Sequence, residues 1–288
     1  MSPAAGARRP DRSLLVRRLS RLGHARLRRG MARVRAGGAP ATLVAPAVRW
    51  LARGELMVPS GRAQGVRISL EGLPPDHAHL GAIAYGLLET AVQEALVRHL
   101  PRGGTLVDVG ANVGFFTLLG ARLVGPDGRV AALEPAPVSA AAIRRNAARN
   151  GFGHVEVLQC AAGAASGRAA FQIVRDESWS KLEPLGAHPD TERVVDVEVA
   201  AIDDLVADGR LPAPDVVKID VEGAELDVLR GMARTAAARP VAIVCELHGT
   251  GPEFVALMAQ WGYRAVNLEG PEPVTEAGPS GHALGVRE

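Results

Sequence analysis

The sequence predicts an α/β protein with a mostly parallel sheet and helices on both faces. Short apolar segments alternate with longer segments of helical periodicity over residues 105–159 and again over 215–261. A glycine-rich turn follows the first apolar segment, at residues 110–114. Because parallel strands are joined by helical crossovers, this alternation favours a parallel sheet that is buried on both sides. The 288 residues are 47% hydrophobic and only 3% aromatic, so we expect one full α/β domain filled mainly by small aliphatic side chains.

Residues 41–100 are predicted to lead into this domain. A short strand is expected at residues 67–70, ended by the prolines at 74 and 75. An apolar stripe at helical spacing predicts one helix over residues 83–100. The segment 101–104, which contains one proline and two glycines, stops that helix and marks the start of the main domain, 101–288.

The elements of the main domain follow from the same periodicities. Helices are predicted at residues 113–124, 138–150, 224–236 and 252–261. Strands are predicted at residues 105–109, 129–134, 154–159, 167–174, 193–199, 215–219, 240–246, 263–268 and 283–287. The polar loop at 175–190 contains Trp179, which either stacks on a substrate as part of a lid or fixes the loop to the core.

The first 40 residues carry a strongly uneven charge. Residues 1–35 hold eleven arginines and one acidic residue, although the net charge of the whole chain is only +2. We predict a flexible basic arm, separated from the core by the glycines at 37 and 38; an amphipathic helix on an anionic membrane or a nucleic acid is the alternative. The rest of the chain is acidic, which disfavours a nucleic-acid-binding surface on the main domain.

The cysteines, the hydropathy and the N-terminal segment bear on cellular setting and assembly. Cys160 and Cys245 lie in apolar runs and are predicted to be small buried residues, not a disulfide. No apolar run approaches the ~18 residues needed to span a bilayer, and no secretory signal follows the basic start. A cytoplasmic protein is therefore expected, and a homo-oligomer stays open.

The segment 107–116 predicts a ligand-binding turn. It reads as a buried strand, a tight turn and the beginning of a helix. Gly110 and Gly114 let backbone N–H groups approach a ligand where a side chain would collide. Asn112 tolerates the left-handed backbone that such a turn requires. Asp108 is unusual in an apolar strand and needs a polar partner, for which a ligand amine is one candidate.

Glu134, at the end of the next predicted strand, suggests that this ligand contains a nucleoside. A carboxylate in this place can accept hydrogen bonds from both hydroxyls of a ribose. A nicotinamide dinucleotide would favour a second glycine where Asn112 stands, because the backbone must approach a pyrophosphate there. S-adenosylmethionine (SAM) has no pyrophosphate and suits Asp108 and the Gly110/Gly114 spacing better. SAM is therefore the predicted cofactor and a nicotinamide cofactor the alternative.

Acidic residues and a histidine gather at the ends of two later strands. Asp220 and Glu222 follow the strand at 215–219, and Glu246 and His248 alternate onto one side of the strand that follows. Because the carboxyl ends of parallel strands meet at one edge of the sheet, these side chains are expected beside the glycine turn. A histidine among carboxylates can act as a general base or bind a metal. Glu225 is interpreted as a helix N-terminal residue that favours the helix dipole.

Three motifs together resemble the FkbM-type SAM-dependent methyltransferases. They are the segments 108–114, 218–225 and 246–249, and the segment 85–89 also fits the family; the resemblance covers about residues 80–268. It implies a class I methyltransferase fold with a seven-stranded sheet and an antiparallel last strand, and usually O-methylation of sugars or natural products. Gln159 stands where many class I enzymes have an acid for the adenine amino group, a departure from that pattern. The expected cofactor set is Asp108, Gly110, Asn112, Gly114, Glu134 and Gln159.

The implied reaction is direct transfer of the SAM methyl to a hydroxyl of a small-molecule acceptor. His248 is the first candidate for the base and Asp220 the second, while Glu222 and Glu246 would orient the hydroxyl or the imidazole. The alternative is activation by Mg²⁺ held by Asp220, Glu222 and Glu246, since hard oxygen ligands suit this ion. A nicotinamide oxidoreductase, an RNA 2′-O-methyltransferase that uses the basic arm, and a non-enzymatic SAM-binding module remain as rival classes.

Overall fold

The computed structural model describes residues 55–70, 79–174, 181–182, 189–276 and 280–287. The basic arm at 1–40 and the stretch of the polar loop that contains Trp179 lie outside these ranges. The roles predicted for the arm and for Trp179 therefore stay predictions.

Thirteen strands and eight α-helices are found within the described ranges. The helices are α1 (Leu80–Tyr85), α2 (Thr90–His99), α3 (Phe115–Val124), α4 (Pro137–Arg149), α5 (Ile202–Ala207), α6 (Glu225–Arg230), α7 (Ala233–Ala238) and α8 (Gly251–Gln260). The strands are β1 (Glu55–Met57), β2 (Arg67–Ser69), β3 (Thr105–Val109), β4 (Arg129–Leu133), β5 (Val155–Leu158), β6 (Ala161–Ala162), β7 (Gly167–Val174), β8 (Lys181–Leu182), β9 (Thr191–Ala200), β10 (Val216–Ile219), β11 (Ala242–His248), β12 (Arg264–Asn267) and β13 (Ser280–Val286).

The main sheet has seven strands in the order β12-β13-β11-β10-β3-β4-β5. Strands β11, β10, β3, β4 and β5 pair in parallel. Strand β13, the last in the chain, is inserted antiparallel between β11 and β12. This topology confirms the predicted fold, a seven-stranded sheet with an antiparallel last strand.

Strand β3 shows why the sheet is so apolar. All five of its residues are buried, because its neighbours cover its edges and helices cover both of its faces. Successive side chains enter different hydrophobic clusters: Leu106 packs with α2 and α3, and Val107 packs with residues from α6 and α8. A strand buried on both faces reads as a continuous apolar run, which explains why the sequence located it so well.

Two predicted helices are each divided in two. The helix expected over 83–100 is α1 and α2, separated by Gly86 (φ 71°) and by Glu89, whose φ of 39° is also left-handed. A Cβ on Gly86 would lie 2.2 Å from the carbonyl oxygen of Ser60. The two backbones are therefore too close for a residue with a side chain at position 86. The helix expected over 224–236 is likewise divided at Gly231, where a Cβ would lie 2.0 Å from the carbonyl oxygen of Gly163.

A second sheet is attached beside the main one. The predicted strand pair at 167–174 and 193–199 is found as the antiparallel pair β7 and β9, in a four-stranded sheet ordered β6-β9-β7-β8. The sequence did not predict the short strands β1, β6 and β8 or the helix α5. This side sheet has its own small hydrophobic cluster, which includes Phe171 and Ile173.

Candidate active site

A cavity of about 400 Å³ opens at the carboxyl ends of β3, β4, β10 and β11. Open α/β sheets bind their ligands at this edge, outside the ends of the strands. The walls come from both sheets. The lining includes the glycine turn, Glu134, the strand-end residues Lys218, Asp220, Glu246 and His248, and the side-sheet residues Phe171 and Leu182.

The glycine turn forms one wall of the cavity. Gly110 has a φ of 72°, and a Cβ on it would lie 1.8 Å from the carbonyl oxygen of Asp220. Asn112 adopts a φ of 51°, as its predicted left-handed conformation requires. Its Oδ1 is buried and accepts no hydrogen bond from the described residues. Gly114 does not line the cavity; with a φ of 89° it precedes α3 and packs against Ile143, so its contribution is to shape the turn.

Glu134 fixes the glycine turn to the end of β4. Its Oε2 accepts a hydrogen bond of 2.8 Å from the backbone N–H of Asn112, and its Oε1 accepts one of 2.8 Å from Ala136. Each carboxylate oxygen can accept more than one hydrogen bond, and Glu134 also lines the cavity. Glu134 thus lies at the end of β4, as predicted from the sequence, and it also holds the glycine turn in position.

Asp108 does not line the cavity. It is fully buried and accepts a 2.6 Å hydrogen bond from the Thr117 hydroxyl, while Lys218 Nζ lies 3.6 Å from its other oxygen. Burial raises the pKa of Asp108, and the Lys218 ammonium opposes that rise. The described partners of Asp108 are thus the protein groups Thr117 and Lys218, and its contact with a ligand amine stays a prediction.

Lys218 joins Asp108 to Asp220 across two neighbouring strands. Its Nζ lies 2.9 Å from Asp220 Oδ2, and its side chain is 3% exposed. Burial lowers the pKa of Lys218, but the carboxylates of Asp220 and Asp108 outweigh it and leave the pKa raised. Burial also opposes ionisation of Asp220, yet Lys218 holds the pKa of Asp220 below its usual value. Asp220 is thus an ionised carboxylate at the cavity wall.

Glu246 has the opposite protonation preference. Burial, followed by the nearby carboxylates of Asp220 and Glu89, raises the pKa of Glu246 to about 8. Near neutral pH the neighbours Asp220 and Glu246 therefore hold one proton, on Glu246. Such a proton-sharing pair can receive a hydrogen bond at one carboxyl and donate at the other.

His248 is surrounded by carboxylates. Its Nδ1 is hydrogen-bonded to the fully buried Glu225, and its Nε2 lies 3.5 Å from Glu222 Oε2 and 3.9 Å from Glu246 Oε1. Burial lowers the pKa of His248, but Glu225 and the two other carboxylates more than offset this effect. The net result is a pKa raised to about 9. The imidazole is therefore charged at neutral pH in the ligand-free protein, which favours Asp220 over His248 as the ready proton acceptor.

Glu225 is a site residue whose role the sequence did not reveal. It begins α6, as expected for a helix N-terminal acid, but its Oε1 binds His248 and the backbone N–H of Gly223. The available signal was its position five residues after Asp220, on the turn that follows β10. The imidazole orientation that Glu225 sets could not be inferred from spacing alone.

The predicted Mg²⁺ ligand set is not assembled as expected. Asp220, Glu222 and Glu246 do not form a three-ligand group, whereas Glu89, Glu246 and His282 do, among the residues that the structure describes. The sequence assigned no role to Glu89 or His282. The signal for His282 lies in the register, which pairs it with Glu246 across β13 and β11.

Gln159 is exposed and does not line the cavity. Its neighbours Cys160, Ala161 and Ala162 line the cavity instead, so an adenine ring would meet small apolar groups there. Cys160 and Cys245 are buried and free, as predicted. Burial raises the pKa of the Cys160 thiol to about 12, which makes it a poor nucleophile.

Comparison with known proteins decides the family. The profile of the methyltransferase FkbM domain matches residues 108–265, more than half of the chain. The chain belongs to the FkbM methyltransferase family. The matched segment of this FkbM methyltransferase contains the glycine turn, Glu134 and the acidic cluster described above. Over the described residues, no helix is both long and apolar enough to cross a membrane.

Individual relatives cover most of this FkbM family chain. The 31-O-demethyl-FK506 methyltransferase FkbM of Streptomyces tacrolimicus is 30% identical over 229 residues, which span 68% of this chain and 87% of that protein. The hexuronic acid methyltransferase AglP of Haloferax volcanii is 32% identical over 169 residues, 58% of this chain and 66% of that protein. A crystal structure of methyltransferase FkbM from Methylobacillus flagellatus aligns with a TM-score of 0.44 at 19% identity, covering 86% of this chain and 60% of that one.

Proposed function

We propose that this FkbM family methyltransferase binds SAM in the cavity and methylates a hydroxyl of a sugar or natural-product small molecule. Glu134 is the observation that carries the proposal. Its carboxylate is held by two backbone N–H groups beside the glycine turn, and the residue lines the cavity. A fixed carboxylate at the end of this strand suits the two hydroxyls of a ribose.

The residues around the cavity fit the other parts of SAM. Asn112 Oδ1 is a buried acceptor with no hydrogen bond from the described residues, and an amino group would satisfy it. Ala161 and Ala162 line the cavity and offer small apolar side chains for contact with adenine. Exposed Gln159 and buried Asp108 do not line the cavity and are proposed to act through their neighbours.

The acceptor hydroxyl is proposed to lie against Asp220, which faces the cavity. When bound, SAM supplies a methyl group activated by a sulfonium, so that the C–O bond forms as the C–S bond breaks. Asp220 Oδ accepts the hydroxyl proton, and Lys218 stabilises the carboxylate until then. Glu246 and His248 line the same wall and orient the hydroxyl, with Glu225 and Glu222 holding the imidazole. Alignment and proton removal are the two contributions that such a transfer needs.

The named relatives support an oxygen acceptor of this kind. One acts on a 31-O-demethyl compound and another on a hexuronic acid, according to their names. Small hydroxylated molecules are compatible with a cavity of about 400 Å³ that must also hold the cofactor.

Calorimetry with S-adenosylhomocysteine and, separately, with NAD tests the cofactor assignment. We expect binding of S-adenosylhomocysteine alone; binding of NAD without S-adenosylhomocysteine would refute the proposal. Labelled SAM is then offered with sugar, polyketide and peptide acceptors. A product labelled on oxygen is expected, and Asp220→Asn should reduce turnover by about 10²–10⁴-fold while the cofactor still binds.

A further inference from the structure

A second cluster of charged side chains lies at the wall of the cavity. Glu89 comes from the segment between α1 and α2, Glu246 from β11 and His282 from β13. His282 Nε2 lies 3.2 Å from Glu89 Oε2 and 3.7 Å from Glu246 Oε2. One ligand atom from each residue can be chosen so that all three lie within 4.8 Å of one another. Glu89 and Glu246 also line the cavity, so the cluster is open to a ligand there.

Two atoms of this cluster are buried without a hydrogen bond. Glu89 Oε2 and His282 Nε2 are both shielded from solvent, yet neither makes a hydrogen bond to any described residue. They lie 3.2 Å apart, which is close enough for a hydrogen bond, so the unfavourable angle between them is what prevents one. The Glu89 side chain is only 8% exposed, and a buried polar atom left without a hydrogen bond is destabilising. Both atoms would be satisfied by a third group placed between them.

The other nitrogen of His282 is already engaged. Nδ1 is hydrogen-bonded to Glu269 Oε1 at 2.6 Å. A carboxylate on one ring nitrogen is the usual support of a metal-binding imidazole, because it fixes the tautomer and directs the second nitrogen at the ion. The histidine is thus oriented with Nε2 toward Glu89 and Glu246.

The spacings agree with a shared metal ion. Two ligands at ~2.1 Å from one ion are about 3.0 Å apart at a right angle and about 3.4 Å apart in a tetrahedron. The two distances from Nε2, 3.2 and 3.7 Å, are close to these edges. One imidazole with two carboxylates suits Mn²⁺, Fe²⁺ or Zn²⁺, whereas Mg²⁺ favours oxygen ligands and water.

We propose that Glu89, Glu246 and His282 bind one divalent transition-metal ion at the cavity wall, with Glu269 supporting the histidine. Three protein ligands leave coordination positions for a small oxygen ligand, as in catalytic metal sites. Building on the proposed function, this ligand is the acceptor hydroxyl or a neighbouring hydroxyl of the same molecule. The ion acts there as a Lewis acid that lowers the pKa of the hydroxyl, whose proton passes to Asp220.

Metal binding is tested on the full chain after treatment with a chelator and dialysis. Mn²⁺ is titrated in and its free signal followed by electron paramagnetic resonance, and Zn²⁺ is titrated by calorimetry. We expect one equivalent to bind, with the proton of Glu246 released as the ion binds. Glu89→Gln and His282→Gln should each weaken binding by at least tenfold, and Glu269→Gln by about 10–100-fold through the loss of orientation.

Two controls make the result specific. Glu222→Gln removes a carboxylate from the same cavity but not from the ligand set, and Glu253→Gln removes an exposed one from α8; both should bind the ion as the unchanged chain does. Circular dichroism verifies that each variant is folded. A folded chain that binds neither ion at 1 mM, or variants that all bind equally, would overturn the proposal and leave the cluster as an ion-pair network.

The same measurements separate this inference from the proposed function. S-adenosylhomocysteine binding is measured on the metal-free chain, and metal binding is measured without the cofactor. A chain that binds the cofactor but no metal refutes only the metal site. A chain that binds the metal through these residues but not the cofactor refutes only the proposed cofactor.

Discussion

Replacing Glu134 with alanine is expected to weaken cofactor binding strongly while leaving the protein folded. The Glu134 carboxylate accepts hydrogen bonds from the backbone N–H groups of Asn112 and Ala136, each 2.8 Å long. A hydrogen bond to a charged group contributes about 1.5–3 kcal/mol, so losing one such bond to ribose weakens affinity about 10- to 150-fold. Because the alanine variant also releases the N–H of Asn112, the turn loses its fixed position. We therefore expect the upper end of this range or beyond.

Glu134→Gln separates the two contributions. The amide keeps one acceptor oxygen but presents an NH₂ group to the other backbone N–H, so an intermediate loss is expected. Glu156→Ala is the matched control, because Glu156 is an exposed acid on the neighbouring strand β5. Calorimetry with S-adenosylhomocysteine gives the affinities and urea unfolding gives the stabilities. An unchanged dissociation constant in folded Glu134→Ala would refute both the ribose role and the turn-holding role.

Two further substitutions test the packing beneath the site. Gly110→Ala forces a Cβ to 1.8 Å from the carbonyl oxygen of Asp220 and should abolish S-adenosylhomocysteine binding. Gly151 is also left-handed (φ 70°) but has nothing within 4 Å of the added Cβ, so Gly151→Ala should lower the free energy of unfolding in urea by only about 1–2 kcal/mol. Equal effects of the two substitutions would contradict the steric explanation. Lys218→Met leaves Asp108 buried without its cation and should lower the free energy of unfolding by about 3–5 kcal/mol. In the double variant with Asp108→Asn this loss should be partly recovered, and simple additivity in urea unfolding would show that the two residues are not coupled.

The strands of the main sheet were well predicted because burial on both faces leaves a signal in the chain itself. Strand β3 was located to the residue, at Thr105–Val109, and β7 likewise, at Gly167–Val174. Asp220 and His248 could be placed at the cavity because parallel strands must end at the same edge. Hydrophobic periodicity and strand direction were thus sufficient to predict the fold and the outline of the candidate site.

What the sequence did not reveal depends on contacts between distant segments. Gly86 and Gly231 lie within the predicted helices, but their close approach to Ser60 and Gly163 cannot be inferred from the local sequence. The pairing of His282 with Glu246 follows from the register of β13, a strand whose first residues were not predicted.

The protonation states at the site are also a tertiary property. Asp220 and Glu246 are both strand-end carboxylates in the sequence, yet their pKa values shift in opposite directions because Lys218 faces only one of them closely. The same applies to Asp108, whose carboxylate accepts a hydrogen bond from Thr117 and lies 3.6 Å from Lys218 Nζ. Local sequence gives the identity of such groups, and only the packed structure gives their charge.

The two walls of the cavity belong to different sheets, and this division lets them vary separately. The glycine turn and Glu134 belong to the main sheet, whereas Phe171 and Leu182 come from strands that pack in a cluster of their own. The insertion that carries β7, β8 and β9 begins after β6 and ends before α5. This insertion can therefore be regarded as a separate, exchangeable segment. Exchanging it between relatives would change the wall that Phe171 and Leu182 form and leave the glycine turn and Glu134 intact, which makes its two ends the natural junctions for building chimeric enzymes.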